Sequence, residues 1–185
     1  MRRQIKTTQV LLAAAIVIAA LSVYYFYSQT PRQDESASAV SSGERAGPPN
    51  IYPNPERTPG AANPEITQEN IAETICNPEW STRSIRPPAS YTGHLKRQQI
   101  REFGYEDTDP SDYEEDHLIP LELGGHPSDP ANLWPEAYSP PGAYEKDKVE
   151  NYLHREVCAG RIPLTDAQQR IATDWHSVYR QAGLH

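Results

Sequence analysis

Two things are scarce in this chain of 185 residues, and each scarcity argues against a class of function. Cysteine occurs twice, at Cys76 and Cys158, and never as a C-x-x-C pair. That argues against a zinc knuckle, which takes its thiolates in closely spaced pairs. Positive charge is scarce where a polyanion would need it. Lys and Arg number 17 against 25 Asp and Glu, a formal net charge of −8. Residues 1–65 hold 6 basic and 5 acidic side chains, whereas residues 66–185 hold 11 and 20, a balance of −9. Bulk electrostatics therefore does not announce a nucleic-acid binder, whose domain is usually basic. Any polyanionic substrate has to be met by a local basic patch or a bound cation. Internal repeats are also absent, which argues against a solenoid or propeller.

What is present divides the chain in three. Residues 1–27 read as a membrane anchor or signal. Arg2, Arg3 and Lys6 precede Val10 to Tyr27, a run of 18 residues without a charge, near the minimum for a membrane-spanning helix. The aromatic cluster Tyr24 to Tyr27 suits the membrane interface, and the preceding basic residues keep the N-terminus inside. No small-residue cleavage pattern falls just beyond the run, so an uncleaved inner-membrane anchor with an exported domain is favoured over secretion. Residues 28–65 read as a proline-rich, disordered linker, because they hold almost no large apolar side chains to offset ordering entropy.

Residues 66–185 read as one small α+β domain, mainly helical. Thr67 to Cys76 carries Ile71, Ala72 and Ile75 at helical spacing, with Thr67 as cap. Tyr91 to Phe103 is a second helix with Leu95 inward, stopped at Gly104. Arg86, Lys96, Arg97 and Arg101 form the only concentrated positive charge of this region. An acidic stretch that includes Asp112, Glu114 and Glu115 reads as a solvated flank, followed by an apolar strand from His117 to Leu123 and a Gly124-Gly125 turn. Asn132-Leu133-Trp134-Pro135 is a second short strand. A helix from about Ala143 to Cys158 follows, with Val149, Leu153 and Val157 inward. Thr165 to Gln168 reads as a capping box opening a last helix, with Ile171 and Trp175 inward. Outside the cytoplasm, Cys76 and Cys158 would pair as one long-loop disulfide.

The chemistry concentrates in Asp116-His117-x-x-Pro120, Gly124-Gly125 and Asn132-Leu133. Two short strands and a helix carrying this ordered set resemble the HNH endonuclease motif and its ββα-metal fold, over about residues 113–158. The longer run from Arg86 to Trp175 looks like a group of exported bacterial HNH-like proteins. The resemblance implies a metal-dependent endonuclease. His117 would be the general base, Asp116 a ligand of the divalent cation, and Asn132 the residue that pins the loop between the strands. An unperturbed His titrates near neutrality and can take a proton from water.

The third element departs from the family. Its helix normally offers a His or Asn near its start, and in many members an Asn lies four residues before a Lys-Asp pair. Counted back from Lys146-Asp147, that place is Gly142. Glu150 and His154 are the alternative ligands; Lys146 with Glu150 also has the spacing of an ordinary helix salt bridge. Mg²⁺ or Mn²⁺ is expected over Zn²⁺, since oxygen donors prevail. The partner expected is nucleic acid, DNA ahead of RNA, bound by a monomer with Arg86, Lys96, Arg97 and Arg101 on the backbone. The competing expectation is a degenerate HNH-like module that binds an envelope protein.

Overall fold

The computed structural model describes residues 51–185, and the expected membrane span and residues 28–50 of the expected linker lie outside them. Among the described residues no helix is long and apolar enough to cross a membrane. The described part is α+β: three helices and a two-stranded antiparallel sheet. Helix α1 is Ala89–Glu102. Strands β1, Tyr113–His117, and β2, Leu133–Ala137, form the hairpin. Helices α2, Ala143–Cys158, and α3, Leu164–Gln181, complete it.

The hairpin register pairs Glu114 with Glu136, Asp116 with Trp134 and His117 with Leu133. Directly paired residues share a sheet face, and neighbours along a strand alternate. One face thus carries Glu114, Asp116, Trp134 and Glu136, and the other carries Tyr113, Glu115 and His117. Helix α1 lies on the second face, where Gln99 Nε2 donates to the Leu133 carbonyl (2.9 Å) and Lys96 Nζ to that of Tyr113 (2.6 Å). Helix α2 covers the first, through Lys146. The apolar core sits beyond the hairpin, where α2 and α3 pack Val149, Leu153, Val157, Ile171 and Trp175 against Leu123 and Ile119.

Four expectations are corrected. The strand is the acidic stretch Tyr113–His117, not the apolar run His117 to Leu123. A short apolar run does not reveal its own period. Here Leu121–Leu123 is a 3-10 turn after Pro120, closed by Gly124 at φ 70°, and it buries Leu118, Ile119, Leu121 and Leu123 in several directions. Thr67 to Cys76 is a chain of turns rather than a helix, organised by Asn70, whose side chain bonds Thr67 N–H and the Glu65 carbonyl. Thr165 does not cap the last helix; that helix starts at Leu164 after Pro163, and Gln168 instead donates to the Leu123 carbonyl at 2.8 Å.

The fourth correction concerns the linker. Residues 51–65, expected as disordered tether, are built into the domain. Ile51 is buried, and its carbonyl accepts from Trp175 Nε1 at 2.9 Å. The Tyr52 hydroxyl donates to Asp174 (2.8 Å), where α3 kinks. Gly60 N–H reaches the Ala131 carbonyl, and Ala62 bridges Gly125. Proline lowers the entropy lost on fixing such a segment, and these backbone bonds hold it against the loop between the strands.

The expected disulfide is present: Cys76 and Cys158 are joined, their Cα atoms 5.4 Å apart. It closes a loop with a sequence separation of 82 and ties the Thr67–Cys76 turns to the end of α2.

Candidate active site

Asn132 fixes the turn on which the site depends. Its buried amide accepts from Ile119 N–H (2.9 Å) and donates to the carbonyls of Ile119 (2.9 Å) and His126 (3.1 Å). A backbone that reads both ends of a carboxamide can hold one loop shape only. Gly125 fits the same turn for lack of a side chain, since a Cβ there would lie 1.7 Å from the Ile119 carbonyl oxygen. The position thus serves structure, as the resemblance implied for Asn132.

The loop so fixed orients His117 at the end of β1. Its Nε2 lies 2.9 Å from the Pro127 carbonyl. A carbonyl only accepts, so Nε2 carries the proton and Nδ1 keeps a lone pair. Burial holds the ring below its ordinary value of 6.5, despite the Pro127 bond and Asp116, which pull the other way. The imidazole is therefore neutral at neutral pH, the state a general base requires.

His117 lines a cleft of about 520 Å³ between α1 and the hairpin. Arg86, Lys96, Thr92, Glu114 and Glu115 line it too. Tyr91 of α1 ties the helix to the loop between the strands by donating to the Ser128 carbonyl (2.6 Å). Of the expected basic patch, Arg86 and Lys96 reach the cleft, whereas Arg97 and Arg101 are exposed on α1 and do not line it. Lys96 is partly committed, through its bond to the Tyr113 carbonyl. Glu115 shares the His117 face, and neither of its carboxylate oxygens has a hydrogen-bond partner. Burial and Asp116 push it up to about 8, tempered by Lys96, so it carries a proton at neutral pH.

The opposite face holds what sequence reasoning missed. Lys146 is 0% exposed. Its ammonium donates to Asp116 Oδ2 and Glu150 Oε1, both at 2.5 Å, and to the His117 carbonyl at 2.9 Å. Glu136 Oε2 stands 3.9 Å away. An ammonium has three donors, and all three are used. Burial opposes the charge of Lys146, but Asp116, Glu150 and Glu136 outweigh it and raise its pKa well above the ordinary value. One cation cannot neutralise three carboxylates. Asp116 keeps its charge, held low by Lys146 against its own burial. Burial pushes Glu150 up to about 8 and Glu136 well above the carboxylate range, against the pull of Lys146. The cluster therefore holds protons and sits near neutrality.

A divalent cation is what the resemblance implies at Asp116, and the residues there do not fit one. The oxygens that would ligate it surround an ammonium. Asp116 and Glu150 are salt-bridge partners of Lys146. His154 is on a distant turn of α2, its Nε2 2.8 Å from the Ile75 carbonyl and 3.4 Å from Cys158 Sγ. At Gly142 a Cβ would lie 2.1 Å from the Ala137 carbonyl oxygen, so backbone fills the place where the resemblance implied a ligand. Among the described residues the one close group of three metal-type donors is Cys76, His154 and Cys158. Its two sulfurs are spent on the disulfide, which leaves no thiolate for zinc.

The i,i+4 spacing of Lys146 and Glu150 was the available signal for this cluster, but spacing does not reveal burial. Glu136 gave none, because its meaning comes from the register with Glu114. Compared with protein-family models, with curated proteins and with solved structures, the chain matches none.

Proposed function

We propose that the domain is an HNH-type phosphodiesterase acting on nucleic acid, with His117 as general base. The observation that carries this reading is the His117 ring itself: Nε2 is tied to the Pro127 carbonyl, Nδ1 is left as acceptor, and the ring lines a cleft that also holds Arg86. A base aligned by a backbone carbonyl and a guanidinium within the same cleft are the two parts needed to deprotonate a nucleophile and meet a phosphate. The order β1, β2, α2, with Asn132 pinning the loop between the strands, supports a ββα core. The Cys76–Cys158 disulfide supports a place outside the cytoplasm. With Val10 to Tyr27 as anchor, the domain would work on the outer side of the inner membrane.

A second reading is a binding module that has lost catalysis. Lys146 at the place of the metal favours it, as does the commitment of Lys96 to the Tyr113 carbonyl, which leaves Arg86 as the less constrained cation of the cleft. The test is cleavage of labelled DNA and RNA by the full chain beside a His117→Ala variant shown to be folded. The nuclease reading expects cleavage that the variant loses. Cleavage of neither polymer, or equal cleavage by the variant, decides for the binding module.

A further inference from the structure

The oxygens that would hold a divalent cation at Asp116 surround an ammonium instead, and that restricts what the cleft beside His117 can cleave. We propose that Lys146 fills the place of the divalent metal and that the cleft beside His117 cleaves RNA without metal, the ribose 2′-hydroxyl serving as nucleophile. This rests on the reading of His117 as a base.

Asp116, Glu150 and the His117 carbonyl take all three ammonium protons of Lys146, and Glu136 closes the fourth side. Divalent cation and ammonium would compete for the same oxygens, and the ammonium is fixed to α2, 0% exposed and covered by the hairpin. Its bond to the His117 carbonyl and its hold on Asp116 make Lys146 a positioning residue for β1, not one that touches substrate.

Without a metal, nothing in the cleft lowers the pKa of water from about 15.7 toward neutrality. A neutral imidazole alone is a weak means of making hydroxide. RNA brings its own nucleophile. The 2′-hydroxyl sits beside the phosphorus it attacks, and well-oriented intramolecular reactions reach effective molarities of roughly 10⁵–10⁸ M. DNA lacks that group.

His117 Nδ1 takes the 2′-hydroxyl proton as the 2′ oxygen bonds to phosphorus. Arg86, on the same cleft, meets the non-bridging oxygens. The bond from phosphorus to the 5′ oxygen breaks with its electron pair, and that oxygen takes a proton from water at the mouth of the cleft. The products are a 2′,3′-cyclic phosphate and a 5′-hydroxyl end, and His117 returns its proton to solvent. Nothing is oxidised or reduced.

The test uses the full chain, an excess of chelator, and a DNA oligonucleotide carrying a single ribonucleotide beside its all-DNA counterpart. The expected result is one cut, on the 3′ side of the ribonucleotide, leaving a cyclic phosphate by mass. The all-DNA strand should be cut at least about a thousand-fold more slowly. In the same protein, added Mn²⁺ should leave the amide NMR signals of His117 and Lys146 unbroadened. A metal requirement, equal cutting of the all-DNA strand, or selective Mn²⁺ broadening at those two amides overturns this inference and leaves the nuclease reading standing. No cutting of either strand, with or without Mn²⁺, removes the nuclease reading itself and this inference with it.

Discussion

The two faces of one hairpin differ in how far their polar groups are committed. Toward α2, Asp116, Glu136 and Glu150 enclose Lys146, and the ammonium has no donor to spare. Toward α1, His117 keeps one ring nitrogen free beside an open cleft. Adjacent residues, Asp116 and His117, go to opposite faces because a strand alternates. A lysine whose donors are all in use holds geometry, even with both buried Glu136 oxygens left without a hydrogen-bond partner; a part-satisfied group that lines a cleft is available for chemistry. The comparison assigns stability to one face and reactivity to the other.

Changes on the closed face should be the costliest to folding. Lys146→Ala leaves the part-buried Asp116 and the buried Glu136 without their cation, and breaking a buried pair costs up to about 3–5 kcal/mol. Denaturant unfolding reads this directly; a loss below about 1 kcal/mol would mean that water already reaches the cluster.

On the open face the expected pattern reverses. His117→Ala should lower cleavage by about 10²–10⁴-fold and, because the ring is buried and bonded to the Pro127 carbonyl, cost about 1–3 kcal/mol of stability, less than Lys146→Ala. The pH profile sharpens the point. Burial lowers the His117 pKa, so the neutral base persists to lower pH than in a free imidazole. Cleavage should therefore rise with pH on the acid side and level off below 6.5. A limb centred above that value would mean that another group is titrating.

Two smaller effects extend the comparison. Replacing Cys76 and Cys158 with Ser should cost roughly 2–4 kcal/mol, with cleavage by the folded fraction unchanged, since the disulfide lies at the far end of α2 from the hairpin contact of Lys146. Arg86→Ala should raise KM about 5-fold and leave kcat nearly intact, in keeping with an exposed charge worth under about 1 kcal/mol. A fall in kcat alone would make Arg86 part of the transition state rather than of binding.

Much of this molecule was legible before its fold, and the failures have physical causes. Helix α2 was readable to its ends, because Val149, Leu153 and Val157 repeat at helical spacing between Gly142 and Gly160. The Cys76–Cys158 pair and the structural role of Asn132 were also readable. The strand was misplaced because β1 carries Glu114, Glu115 and Asp116 on a hairpin covered by helices, where polarity no longer marks exposure. The 51–65 segment misled through composition: beyond the buried Ile51 and the part-buried Tyr52, its order comes from the backbone bonds Gly60 to Ala131 and His126 to Ala61, which leave no apolar signature. Lys146 looked like a surface helix cation. Only the register that brings Glu136 beside Asp116 turns it into a buried one, and register is a tertiary fact.

The central claim, that the open face presents a neutral His117 with its proton on Nε2, can be measured on the ring itself. Nitrogen-resolved NMR of the imidazole at neutral pH should find Nε2 protonated and Nδ1 bare, and the signals should persist in that form as the pH falls below 6.5. A ring protonated on Nδ1, or an imidazolium at neutral pH, would leave the cleft without its base and contradict the account.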